Sequence, residues 1–318
     1  MNTQPGDISV TQPVGQALDH VKAVLFRPFD LGKWFVIGFC AWLAYLGEGG
    51  SSGGSNFGTW HDHHGVDFRA AIEHARDYVM DNLWWIAPLV IGAVIFAVAL
   101  GLVILWLSSR GKFMFLHCIA LNRAEVRVPW HTFAREANSL FLFRLVLSLL
   151  GMVVVLPAIV GLLWVVLRMI LTENVTANGI VGAGVLVLAL IVFAVGFWII
   201  KRLLNDFVVP IQFLRRGKCL AAWRELSQLL TRNLGNFILY LLFRIVLSLA
   251  IGMLVIGLVL VTCCIAGCLM AIPYLGAVLL LPILVFERSY SIYYLAQHGP
   301  DYDVFAPPAA AASSPAIG

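Results

Sequence analysis

The sequence predicts an all-α integral membrane protein with about six transmembrane helices, arranged as three parallel helix-hairpin repeats with amphipathic helices at the cytoplasmic interface. Three observations point there. The 318 residues are 61% hydrophobic and only 12% charged, whereas soluble domains carry about 25% charge. Six apolar stretches approach the roughly 20 residues that a helical crossing of the bilayer needs: 31–46, 83–107, 140–167, 179–200, 237–270 and 272–286. And FRLVLSL at 143–149 returns as FRIVLSL at 243–249, in each case at the start of an apolar run.

From the amino terminus, Val14, Leu18, Val21 and Leu25 recur at helical spacing, as in a helix lying in the membrane interface. Pro28 then breaks the helix before the chain enters the bilayer. The opening residues lack a charged-then-apolar leader with a small-residue cleavage site, so the first stretch is expected to stay as an anchor. Residues 47–82 form an outer loop that opens with GEGGSSGGSNFG, a flexible composition, and continues into an acidic segment over 70–82. After the second stretch comes FMFLHCIALNR; then Trp130, Phe133, Ala134, Ala137 and Phe141 repeat the interfacial pattern ahead of the third. Gly179, Gly182 and Gly184 open the fourth, where small residues permit close helix approach. FVVPIQFLRRG follows it, and then a segment with Trp223, Leu226, Leu229, Leu230 and Leu234 on one face and Arg224, Glu225, Gln228 and Arg232 on the other. The fifth stretch is long enough to tilt. The sixth ends in SYSIYYLAQHG, a third aromatic strip of the kind that favours the headgroup zone. Residues 299–318, rich in proline and alanine, read as a disordered cytoplasmic tail.

Residues 1–298 therefore read as one transmembrane domain with repeat units at about 14–121, 122–214 and 215–298. Two spans per unit give all three the same orientation, unlike the inverted repeats of many transporters. The alternative is that Leu-, Val- and Phe-rich spans resemble one another by chance. Setting aside Arg144 and Arg244, sixteen Lys and Arg fall on one face of this topology and three on the other. Cytoplasmic loops collect such residues, so both termini are expected in the cytoplasm, with the net charge of +4 forming a basic rim near anionic headgroups. This pattern excludes nucleic acid as the expected partner. Of the six cysteines, Cys40 falls in a span, Cys118 and Cys219 in basic connectors, and Cys263, Cys264 and Cys268 near the outer end of the fifth stretch. Packing is the expected role, with a disulfide in the last group left open.

Ionisable groups inside spans are functional candidates by default. Arg144 and Arg244 sit about two turns inside their spans, where they either snorkel toward phosphates or face inward to meet Asp206, Glu225 or Glu287, or to hold an anionic headgroup bidentately. Asp206, followed by apolar residues and Pro210, is the carboxylate expected to be partly buried. Glu287 and Arg288 are sequence neighbours that cannot face each other on a helix and should pair with other elements. In the outer loop His61, Asp62, His63 and His64, with His74 beyond, are ligand types for zinc, but their spacing matches no established ligand pair, and a solvated polar loop is the simpler reading. There is no P-loop, dinucleotide fingerprint or nucleophile elbow. No catalytic residue and no cofactor is assigned.

PFDLGKWFVIGFCAWLAYLG, FVVPIQFLRRGKCLAAWRELSQLLTRNLGNFILYLLFRI and FERSYSIYYLAQHGPDYDVF together resemble a group of uncharacterised bacterial integral membrane proteins, distantly similar to the membrane domain fused to some glycerophosphodiester phosphodiesterases. The resemblance covers nearly the whole chain and implies six helices with interfacial elbows; it brings no activity. Three readings follow. The first is a non-enzymatic protein of the bacterial inner membrane that binds anionic lipid headgroups or a membrane partner at its cytoplasmic face. The second is a transporter or channel for a small anionic or amphiphilic solute, and the third, weaker, is a metal-dependent hydrolase at the outer loop.

Overall fold

The computed structural model describes residues 8–47, 77–78, 80–172, 177–262 and 265–306, and within them it is helical, with no strand. The helices are α1 (Gln12–Val21), running on into a π-helical turn Lys22–Phe26, α2 (Leu31–Tyr45), α3 (Leu83–Leu121), α4 (Arg127–Thr132), α5 (Ala134–Thr172) and α6 (Ala177–Leu203). A second π-helical turn, Leu204–Val208, joins α6 to α7 (Val209–Arg215); then come α8 (Cys219–Arg232), α9 (Leu234–Val261), α10 (Ile265–Ala271), α11 (Pro273–Leu279) and α12 (Leu281–Ala296), with a 3₁₀ turn at Pro300–Tyr302.

Among the described residues, four segments are long and apolar enough to cross a membrane: Leu83–Ala120, Ala134–Arg168, Val181–Arg215 and Leu234–Val261. At about 1.5 Å per residue, α3 and α5, with 39 residues each, reach well past a bilayer core of about 30 Å. The protein is therefore a transmembrane protein. The count of six uninterrupted crossings is not reproduced. The first expected stretch is a 15-residue helix, the fifth ends as a continuous helix at Val261, and the sixth is divided at Leu280 between α11 and α12. Pro273 and Pro282 mark why: each opens a helix, a position that tolerates the missing N–H. Elsewhere the ends follow local chemistry. Asp30 caps α2, its carboxylate accepting from Gly32 N at 2.8 Å, and Arg216 in the left-handed region (φ 51°) stops α7.

The chain divides into two compact units, one of residues 1–53, 106–143 and 201–318, the other of 54–105 and 144–200. In the second unit the apolar helix stretches keep their side chains exposed: Phe96, Val153 and Val192 are all more than 60% accessible. In a membrane protein such surface faces lipid, which is as apolar as the side chains themselves. Phe193 and Phe197 stack at 5.9 Å.

The first unit holds the core. Ile37, Cys40, Ala41 and Leu43 of α2 pack with Met114, Phe115, Cys118 and Ile119 of α3 and with Leu281, Leu284 and Val285 of α12. The crossing of α2 and α3 depends on small residues. Ser108 Oγ donates to the Ala44 carbonyl at 2.9 Å, and a Cβ added at Gly111 would lie 2.4 Å from the Leu43 carbonyl carbon. At Gly38 an added Cβ would meet Val278 Cγ2 at 2.7 Å, so α2 also lies tight on α11, with Trp34 Nε1 donating to the Val278 carbonyl at 3.0 Å.

Parts of the three aromatic strips are buried within helices. Residues 113–119, 207–212 and 288–292 lie within α3, the α6–α7 junction and α12, and are buried throughout. Cys118 is correspondingly not in a connector: it is buried in α3, its Sγ 3.8 Å from Cys40 Sγ. Cys219 is the first residue of α8 and is also buried, which pushes its thiol up to about 12.

The ends of the described chain meet in this unit. Gln297 accepts from Ser9 N at 2.8 Å and donates to the Ser9 carbonyl at 2.9 Å, and Tyr290 OH donates to the Val10 carbonyl at 3.1 Å. His20 of α1 lies against Phe305, with ring centroids 4.3 Å apart, and its Nε2 is 3.2 Å from the Ile119 carbonyl; burial keeps this imidazole below its ordinary pKa.

Candidate functional site

The first unit buries an unusual number of charges for so apolar a chain. Asp206 sits on the π-helical turn that ends α6, 3% exposed. Widened turns of this kind re-aim side chains and are frequent at functional sites. Arg202, four residues earlier and so on the same face, places Nε 2.9 Å from Asp206 Oδ2. Tyr240 of α9, fully buried, donates its hydroxyl to the same oxygen at 3.0 Å.

One turn beyond Tyr240 on α9 is Arg244, 2% exposed. Its Nη2 lies 3.1 Å from Glu287 Oε1 of α12, and the guanidinium carbon stands 5.8 Å from the ring centre of Tyr290. Burial of a guanidinium is costly, and a carboxylate partner offsets much of that cost. Arg244 Nε and Nη1 are nevertheless buried with no hydrogen-bond acceptor among the described residues, as is Arg202 Nη2. Arg288, adjacent to Glu287, donates through Nη1 to the Asn205 carbonyl. The Asn205 side chain accepts from Lys112 Nζ of α3 at 2.9 Å. Asp206 lies within electrostatic reach of Arg202, Arg244 and Arg288 together. These groups thus form one network in which three guanidinium groups and an ammonium face two carboxylates.

A small pocket opens beside it, lined by Ala44, Tyr45, Lys112, Phe115, Asn205 and Arg288. The rings of Tyr240, Tyr290 and Tyr294 pack together, Tyr240 and Tyr294 with centroids 4.5 Å apart and Tyr240 stacked on Tyr290 at 5.7 Å.

Of the five candidates named from sequence, Asp206, Arg244, Glu287 and Arg288 come together here. Arg144 lies half-buried on α5, in the second unit. Glu225, one of the carboxylates weighed for the arginines, pairs with Arg215 at 3.0 Å on the surface of α8. Sequence reasoning did not single out Arg202, Tyr240, Lys112 or Asn205. Two carried a signal, since Arg202 precedes Asp206, and Tyr240 precedes Arg244, by the four residues that align side chains on a helix. In the sequence Lys112 and Arg202 stand among other basic residues that look like connector charge; both lie within helices. The outer-loop residues His61, Asp62, His63, His64 and His74 lie outside the described residues, as do Cys263 and Cys264. Among the described residues no group of three or more His, Cys, Asp or Glu could hold a metal ion.

Compared with known proteins, residues 8–281 match the model of a family of unknown function, DUF7544. No curated protein and no solved structure matches the chain.

Proposed function

Because the chain belongs to DUF7544, a family of unknown function, membership brings no reaction with it, and we propose from the geometry a non-enzymatic, multi-pass protein of the bacterial inner membrane that binds anionic lipid headgroups at the cytoplasmic ends of its helices. One observation carries this reading: Arg202, Arg244 and Arg288 gather around Asp206 and Glu287, and among the described residues Arg202 Nη2 and Arg244 Nε and Nη1 have no hydrogen-bond acceptor. A buried donor without an acceptor costs about 1–3 kcal/mol, and a headgroup phosphate would relieve it, because guanidinium binds phosphate bidentately. The bonds between Ser9 and Gln297 support placing both ends on one side of the bilayer. The surplus of Lys and Arg among the connectors supports that side being the cytoplasm.

The test is the lipid that stays with the protein. Wild type purified in mild detergent is expected to retain phosphatidylglycerol and cardiolipin over phosphatidylethanolamine, as read by mass spectrometry. Arg244→Gln should lower that preference several-fold, Arg244→Lys should keep most of it, and the exposed control Arg224→Ala should leave it unchanged. Equal retention by wild type and Arg244→Gln would remove the reading.

A second reading, passage of a small anionic or amphiphilic solute, has one observation in its favour. Arg202, Asp206 and Arg244 lie within segments long and apolar enough to cross a membrane, where ionisable residues commonly mark a path. Solute uptake into proteoliposomes that Asp206→Asn abolishes would support it.

A further inference from the structure

Cys40 of α2 and Cys118 of α3 are both fully buried, and their sulfurs lie 3.8 Å apart. The two residues are 78 positions apart in the chain, so the fold and not the local sequence brings them together. The same two helices cross closely at Gly111, where an added Cβ would strike the Leu43 backbone at 2.4 Å, and at Ser108, whose hydroxyl reaches the Ala44 carbonyl at 2.9 Å. A disulfide needs about 2.05 Å between its sulfurs. The remaining gap is within the reach of small rotations about the two Cα–Cβ bonds.

Cysteine also serves as a small packing residue, and Cys219 shows that role: it is buried to the same degree, and among the described residues no second sulfur lies against it. The pair differs. Cys118 has one thiol hydrogen and two acceptors for it, the Cys40 sulfur and the Glu125 carbonyl at 3.4 Å. When the hydrogen goes to the carbonyl, the Cys118 sulfur presents lone pairs to Cys40. That is the arrangement a thiol needs to displace a leaving group from its neighbour's sulfur.

We infer that Cys40 and Cys118 are a dithiol latch, which hydrogen peroxide converts to a disulfide that fastens α2 to α3. In the first step the Cys40 sulfur attacks one peroxide oxygen, the O–O bond breaks, and the thiol proton leaves with the other oxygen as water, giving a sulfenic acid. In the second the Cys118 sulfur attacks the Cys40 sulfur, the S–O bond breaks, and hydroxide departs with the Cys118 proton as a second water. Together the two thiols lose two electrons and two protons, and the peroxide is reduced to two waters. Burial selects the oxidant: a small neutral peroxide enters through brief local openings, whereas bulky thiol reagents are kept out. The latch acts beside the charged network, because α2 ends at Ala44 and Tyr45, next to Lys112 and Arg288, and fastening α2 fixes that wall. The inference does not depend on the headgroup reading.

The experiment exposes the purified full chain in detergent to graded hydrogen peroxide, stops the reaction with catalase, denatures, alkylates the remaining thiols and maps them by mass spectrometry. The expected product is a pair of peptides joined through Cys40 and Cys118, with both thiols disappearing together while Cys219 stays alkylatable. The joined form should unfold several degrees above the reduced one, because a link that closes 78 residues restricts the unfolded chain. Cys118→Ala, which keeps a small apolar side chain, should leave Cys40 alkylatable at the same exposure and show no such rise. Should that variant fail to fold, Cys40→Ala, with Cys118 as the thiol read, takes its place.

Absence of the joined pair at a peroxide dose that fully oxidises the exposed Cys268 overturns the inference. So does a joined form that unfolds below the reduced one, since the two helices would then have to leave their packing to make the bond.

Discussion

Arg244 and Glu287 show what a buried charge requires of its neighbours. Arg244 is 2% exposed and its carboxylate partner is 3.1 Å away on another helix, so neither can be neutralised without stranding the other. Removing one partner of such a pair generally costs about 3–5 kcal/mol, whereas replacing both with apolar residues of similar volume is often neutral. Glu287→Gln should therefore lower the unfolding temperature of the purified protein markedly, and Arg244→Met with Glu287→Leu should recover most of the loss. A double variant no more stable than Glu287→Gln would show that the pair is not what the single change disrupts. The pairing was half legible in the sequence. That Arg244 had to choose between headgroup level and an interior carboxylate follows from its place in an apolar run, and Glu287 was among the acids weighed. The choice itself depends on how α9 meets α12, which no spacing in the chain encodes. Lys112 and Arg202 were hidden for a related reason: beside other basic residues they look like connector charge, and only the continuation of the helices past the apolar run draws them inside.

At the scale of the helix, α3 contains glycines with opposite roles. An added Cβ meets nothing within 4 Å at Gly92 or Gly101, whereas at Gly111 it would strike the α2 backbone at Leu43 and Ala44, 2.4–2.8 Å away. Backbone cannot rotate aside as a side chain can. Gly111→Ala should thus separate α2 from α3 and destabilise the protein by at least the roughly 1–3 kcal/mol typical of overpacking. Gly101→Ala should be neutral or stabilising, helix propensity favouring alanine by up to about 1 kcal/mol. Parallel melts of the two variants check this, and similar behaviour would contradict the close crossing. The same helix shows where element boundaries escape a reading by composition. The apolar run ends near residue 107, yet SSRGKFMFLHCIAL carries on as helix to Leu121 because its polar members find partners in the folded unit, Ser108 on the Ala44 carbonyl and Lys112 on Asn205. Aromatic residues there also pack the core, Phe113 stacked on Phe133 at 5.8 Å and Phe133 on Phe213 at 4.7 Å.

For the whole molecule, composition already determines the class, because long apolar helices with exposed side chains need lipid around them. The number of crossings is a different matter. A run of apolar residues shows how much chain prefers lipid but not where prolines divide it, and Pro273 and Pro282 turn the last expected span into shorter pieces. Orientation can be measured. Cys268 is exposed, whereas Cys40, Cys118 and Cys219 are buried and should stay silent toward thiol reagents. With Cys263 and Cys264 changed to Ser, a membrane-impermeant maleimide applied to intact cells should label Cys268. Cysteine introduced at the exposed Arg123 should be labelled only after the membrane is opened. The reverse pattern would invert the proposed topology.

The clasp between Ser9 and Gln297 carries one more consequence, concerning time rather than space. During synthesis the residues around Ser9 leave the ribosome 288 residues ahead of the glutamine that receives them. At about 5–20 residues per second the opening helix waits on the order of tens of seconds without its seat. It spends that interval as a detached amphipathic segment, open to chaperones and proteases. Truncation anywhere before α12 leaves the wait without end, so a nascent chain cut short there keeps α1 exposed.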